Sequence, residues 1–140
     1  MFRHKSKVNI RFSDLDAFNH VNNACYLTYI EQARIAYFSD IVGWNYDWSK
    51  KGIILAKATV EFIFPIHLAD QVLVYTHCNR MGTKSFDLQY RMVKMENEKE
   101  ILLSDASTVM VAFDYDLQKS IEVPPEWKDL IKVYEEGDVK

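Results

Sequence analysis

Two carboxylates, one imidazole and three carboxamides fall within residues 13–26: Asp14, Asp16, His20, Asn19, Asn22 and Asn23, immediately ahead of a long run of helix formers. A helix that starts there presents amide N–H groups without intrahelical partners, together with the positive end of its aligned peptide dipoles. Such an end binds an anion, or polarises a carbonyl oxygen that is acquiring charge. A carboxylate a few residues upstream can then attack that carbonyl or activate water. Asp16 is the candidate for this role and Asp14 its competitor. The alternative for both is a turn cap, because Asp readily bonds its own backbone. His20 reads equally as an acid or water-positioning group and as a residue that orients the loop through a hydrogen bond. Asn22 and Asn23 suit the helix N-cap whether or not chemistry follows, so the backbone of that first turn is the informative part.

The elements that must position these groups are legible in the hydrophobic pattern. Val8, Ile10 and Phe12 alternate with polar residues and predict a strand that delivers the polar cluster. Over 23–42, Tyr26, Ile30, Ala33, Tyr37 and Ile41 recur at helical spacing, joined by Leu27, Tyr29, Ala36 and Phe38. So wide an apolar sector predicts a helix wrapped on most sides, ended by Gly43. Glu31 and Arg34, three apart, read as an intrahelical ion pair. Strand patterns follow over 53–64, 72–75, 85–92 and 103–113, with turns at 81–84 and 96–99, which predicts an antiparallel meander. Pro124 and Pro125 open a short terminal helix over 126–135. The expected architecture is α+β: a curved antiparallel five-stranded sheet wrapped around one long central helix, with a short C-terminal helix.

At 140 residues, residues 1–140 are expected to form a single domain, and 49% hydrophobic with 26% charged residues suits a chain that buries a core. A formal charge of −3 without a dense basic cluster argues against nucleic acid as a partner. The basic start lacks the apolar run and small-residue cleavage site of a signal peptide, and no apolar stretch is long enough to span a bilayer. The expectation is therefore a cytoplasmic protein without a membrane partner. Cys25 and Cys78 have no CxxC spacing and read as free thiols; His4, His67 and His77 are scattered, so no metal site is expected.

Asp14-Leu15-Asp16, His20-Val21-Asn22-Asn23, Tyr26-Leu27 and Ile30-Glu31-Gln32-Ala33-Arg34 together resemble the signature of hotdog-fold acyl-CoA thioesterases of the 4-hydroxybenzoyl-CoA thioesterase type. The first two pieces are also similar to plant acyl-carrier-protein thioesterases, and 59–70 and 81–86 fit the same pattern. The resemblance implies the hotdog fold and hydrolysis of an acyl-CoA or acyl-carrier-protein thioester, with no metal and no cofactor, coenzyme A being part of the substrate. It implies that Asp16 is nucleophile or general base and that the Asn23 amide polarises the thioester carbonyl. His20 and Asn22 join this set, and Lys84 and Ser85 match the hairpin near the nucleotide end of coenzyme A, Lys84 as a point charge for a phosphate oxygen. It further implies a homodimer or homotetramer with sites at the subunit interface. Phe18 stands where plant enzymes carry Asn, and Asn19 where relatives often have Gly or Gln. The aromatic stretch 44–48 reads equally as cover for an acyl pocket and as core packing. The alternatives are a non-catalytic acyl-thioester-binding module and a hotdog enoyl-CoA hydratase.

Overall fold

Where the site can lie is decided by the register of one antiparallel sheet. The computed structural model describes residues 2–43 and 47–137. The chain forms β1 (His4–Val8), a single 3-10 turn (Phe12–Asp14), α1 (Asn23–Ile41), β2 (Lys51–Phe62), β3 (Val72–Met81), β4 (Ser85–Glu96), β5 (Lys99–Asp114), β6 (Lys119–Ser120) and α2 (Pro125–Glu136). The strands follow the order β1-β3-β4-β5-β2, with the two-residue β6 pairing on β5. The architecture is α+β, a curved sheet carrying α1, with six strands where five were predicted.

Three local expectations are corrected. The first strand ends at Val8, and the alternating stretch beyond it turns instead: Phe12 opens the 3-10 turn and is 80% exposed. The strands after α1 are not one meander, because β2 skips β3 and pairs with β5 over Lys51↔Asp114 to Phe62↔Ser104. And α1 is not wrapped on most sides. It buries Tyr26, Tyr29, Ile30, Ala33, Tyr37 and Phe38 on one face while Leu27 and Ile35 stay exposed.

The helix boundaries obey ordinary capping chemistry. Asn22 is the N-cap, its side chain accepting the Ala24 amide at 2.9 Å, and Gly43 takes φ +97 just past the last turn. On β2, the register slips between Leu55 and Lys57. That extra residue inverts the inside–outside alternation, so Ile53 and Leu55 before it and Val60 and Phe62 after it all turn toward α1. The C-terminal helix is tied down by Glu135, which accepts hydrogen bonds from the Tyr37 hydroxyl and, at 2.8 Å, from the Cys78 amide, and contacts the His77 ring at 2.9 Å. Cys78 is buried there, and burial pushes its thiol up to about 12, which makes it inert as a nucleophile at neutral pH.

The β4–β5 hairpin turns through Asn97 (φ 52) and Glu98 (φ 65), both left-handed, as a two-residue turn of this hand requires. Glu98 therefore carries a Cβ where glycine is preferred. Glu98→Gly is expected to stabilise the fold by about 0.5–1 kcal/mol, read as a raised Tm with unchanged circular dichroism. A lowered Tm would show that the Glu98 side chain contributes more than its backbone costs.

Candidate active site

The loop between the 3-10 turn and α1 is closed by its own backbone. Leu15 and Val21 form an isolated antiparallel bridge, the Asp16 amide donates to the His20 carbonyl at 2.8 Å, and the Asn19 amide donates to the Asp16 carbonyl at 3.0 Å. Asn19 occupies the left-handed region at φ 65, which Asn tolerates and Gly prefers, so its side-chain type follows from the turn. Asp16 Oδ1 accepts the Phe18 amide at 2.9 Å and the His20 amide at 3.4 Å. The turn-cap reading of Asp16 is thus correct as far as Oδ1 goes. Oδ2 makes no hydrogen bond among the described residues, and the half-buried Asp16 lines a cavity of about 230 Å³.

Asp14 has a different fate. It is 2% exposed, and its carboxylate collects the Arg11 amide (3.1 Å), two Arg11 guanidinium nitrogens (3.2 and 3.0 Å) and the Tyr29 hydroxyl (2.6 Å). Burial alone raises its carboxyl, but the Tyr29 hydroxyl and the Arg11 amide and guanidinium outweigh burial and hold it below the ordinary carboxylate range. With every lone pair engaged, Asp14 is unavailable to a substrate. Its carbonyl also accepts the Asn22 amide at 2.8 Å, which fixes the start of α1 against the loop.

The cap decides which helix amide remains open. The Asn22 side chain takes the Ala24 amide, and the Asn22 carbonyl takes the Cys25 amide at 2.9 Å. The Asn23 amide has no partner among the described residues, and Asn23 lines the same cavity as Asp16. His20 lines it too, its ring edge-on to His67 at 5.1 Å. The remaining wall, named above only for its hydrophobic pattern and as part of the family resemblance and given no site role, is Tyr26, whose ring packs against Phe62 at 4.8 Å, and the stretch from Phe62 through Pro65. Pro65, which interrupts the strand pattern there, was the available signal. Asn22 itself caps the helix and is not part of the cavity wall.

Lys84 and Ser85 are not brought to this cavity within one chain. Ser85 pairs with Val111, and Val111 with Ile54, eight positions along β2 from the cavity residue Phe62. At ~3.3 Å per residue this is roughly 25 Å. The Ser85 hydroxyl accepts from Arg80 at 2.8 Å, and the Lys84 carbonyl accepts the Ala112 amide at 3.0 Å. The Glu31–Arg34 ion pair is also not formed: Arg34 is buried and donates to the Tyr90 hydroxyl at 3.3 Å instead. Of the aromatic stretch, residues 44–46 lie outside the described residues, while Trp48 lines a second cavity between α1 and β2.

Comparison with known proteins shows the family and the fold. Residues 10–131 match the family described as the thioesterase-like superfamily. The long-chain acyl-CoA thioesterase FadM of Escherichia coli (strain K12) is 22% identical over 129 residues, covering 91% of this chain and 96% of that protein. Among solved structures, a thioesterase from Thermus thermophilus complexed with coenzyme A and zinc superposes with a TM-score of 0.80 at 27% identity, covering 96% of each chain. A mutant 4-hydroxybenzoyl-CoA thioesterase complexed with 4-hydroxybenzoyl-CoA superposes with a TM-score of 0.84 at 18% identity, covering 91% of this chain and 97% of that one. With a curved antiparallel sheet carrying one long helix and a family match that spans most of its length, the chain belongs to the thioesterase-like superfamily of hotdog-fold proteins.

Proposed function

We propose that this chain hydrolyses acyl thioesters of coenzyme A, or of an acyl carrier protein, to the free acid and the thiol. The observation that carries the reading is that Asp16, whose Oδ2 makes no hydrogen bond among the described residues, and Asn23, whose amide has no partner among them, line the same cavity. The thioester carbonyl is bound with its oxygen at the Asn23 amide, where the helix dipole stabilises charge as the carbonyl becomes tetrahedral. Asp16 either attacks the carbonyl carbon or takes a proton from water that does so. The C–S bond then breaks, the sulfur leaves with the bonding electron pair and is protonated, and one water is consumed overall. His20, on the same wall, is assigned to positioning the attacking water.

In this reading the complete site needs a second copy of the chain. β2 is a twelve-residue edge strand whose Leu55 and Phe62 are exposed on the side of the exposed Leu27 and Ile35 of α1. A long apolar edge of that kind favours pairing with another copy. A neighbouring copy can supply the Lys84–Ser85 hairpin that one chain holds about 25 Å away by the ~3.3 Å strand rise, with Lys84 placed for a coenzyme A phosphate. Free thiols at Cys25 and Cys78 suit a cytoplasmic location.

The test is colorimetric thiol release over a panel of acyl-CoA thioesters, with sedimentation to count subunits. Release of thiol with stoichiometric free acid supports the reading. Coenzyme A binding without thiol release would mark a non-catalytic binding module, and loss of enoyl absorbance without thiol release a hydratase. Because every step is assigned to protein groups, dialysis against a chelator is expected to leave turnover unchanged; a loss restored by a divalent metal would overturn the metal-free mechanism.

A further inference from the structure

Farther along α1 from the Asp16 cavity, between the helix and β2, lies a cation that the proposed chemistry does not use. Asn23, Leu27, Glu31, Arg34 and Phe38 follow one another at spacings of three and four and so share one stripe of α1. The stripe begins at the amide assigned to the thioester carbonyl. Opposite it runs the inner side of β2, from Phe62 at the site to Leu55 and Ile53 farther on. Two cavities, of about 170 and 390 Å³, lie between these walls and share Glu31, Arg34 and Leu55. Their other walls are largely apolar, among them Leu27, Ile35 and Phe38.

Arg34 is 9% exposed and lines both cavities. Its one hydrogen bond among the described residues is that to the Tyr90 hydroxyl, which is itself 2.9 Å from the Thr108 Oγ1. Neither partner is charged, and no carboxylate pairs with the guanidinium among the described residues. Glu31, one turn nearer the site, is exposed and makes no ion pair with it. A buried cation without a counter-ion is costly, and a guanidinium offers five donors in a fork that matches a carboxylate. A plain hydrocarbon chain in this groove would leave that charge uncompensated.

We propose that Arg34 is a specificity-determining residue, and that the preferred substrate is a medium-chain acyl thioester whose far end carries a carboxylate that pairs with it. The proposal rests on the hydrolytic reading for the position of the thioester end. Eleven residues separate Asn23 from Arg34, roughly 16 Å along the axis at ~1.5 Å per residue, and the Arg34 side chain leans back toward the site. Tyr90, itself bonded to Thr108, engages Nη1 of the guanidinium, and the other donors make no hydrogen bond among the described residues.

The test compares a straight medium-chain acyl-CoA with the same chain ending in a carboxylate, by kcat/KM from thiol release. The carboxylate-ended chain is expected to be preferred, and Arg34→Gln to lower the preference ratio by roughly ten- to hundred-fold, the usual effect of leaving a buried ionic partner unmatched. Arg34→Lys, which keeps the charge but not the fork, is expected to recover part of the ratio, and Glu31→Gln to raise it. Calorimetric binding of both acyl-CoAs to Asp16→Asn protein reads the same preference without turnover. A native preference for the plain chain, or an Arg34→Gln protein that loses both substrates equally, overturns the proposal while leaving thioester hydrolysis standing. A carboxylate preference seen in binding with no thiol release from any acyl-CoA upholds it and overturns the hydrolytic reading instead.

Discussion

Asp16→Asn is expected to lower kcat for thioester hydrolysis by roughly 10²- to 10⁴-fold, the range a positioned acid–base or nucleophilic group supplies. The fold should be unaffected, because Asn keeps an oxygen at the Oδ1 position. That oxygen goes on accepting the Phe18 and His20 amides, at 2.9 and 3.4 Å in the native loop. Asp16→Ala removes the acceptor as well and should damage the loop together with the chemistry. A comparison of the two variants separates what the carboxylate does for the substrate from what it does for its own turn. Substrate affinity should survive in Asp16→Asn, since the Asn23 amide and the groove beyond it are untouched, so the loss belongs in kcat rather than KM. Turnover in heavy-oxygen water then tests the first route, attack by Asp16 itself: label in the Asp16 carboxylate shows that an acyl–Asp16 anhydride formed and was opened by water at the Asp16 carbon. Native-like kcat in Asp16→Asn would remove Asp16 from the reaction.

The loop and the helix start were legible because their signals are local. Asn22 caps through the amide two residues on, Gly43 terminates through its own φ, and Asp16 bonds amides two and four residues away. What escaped the sequence is held by partners far along the chain. The pattern at Val8, Ile10 and Phe12 is that of a strand, but the chain turns where Asp14 gathers the Arg11 guanidinium and the hydroxyl of Tyr29, fifteen residues on. Arg34 has Glu31 at ion-pair spacing and bonds Tyr90, fifty-six residues away, because that side of α1 faces the sheet. No local pattern announces that β2 pairs with β5 rather than β3, and that pairing is what puts Phe62 on the cavity wall. Lys84 and Ser85 matched a family pattern correctly as a hairpin, and only the register shows how far along the sheet from Asp16 they stand within one chain.

Asp14→Asn is expected to show the reverse of Asp16→Asn, a large loss of stability with catalysis lost as a consequence. An Asn at this position offers a single acceptor oxygen and turns an N–H₂ toward groups that are themselves donors, the Arg11 nitrogens and the Tyr29 hydroxyl. Breaking a buried charge-assisted network by removing one member costs about 3 kcal/mol, several degrees of Tm for a domain of this size. The same network makes stability depend on acid. The Asp14 carboxyl titrates below its unfolded value, so the folded state binds fewer protons than the unfolded state as pH falls. Its contribution is complete above the ordinary carboxylate pKa of about 3.9 and is lost as pH drops through the lower folded value. Native protein should therefore lose stability below about pH 4, by linkage from that reference value, and Asp14→Asn should lose less there because it has already lost the charge. Since the Asp14 carbonyl also anchors the Asn22 amide, loosening this turn displaces Asp16 relative to the Asn23 amide, and kcat falls with Tm. If Asp14→Asn instead kept its Tm and lost only turnover, Asp14 would be acting on the substrate and the two aspartates would have to exchange roles.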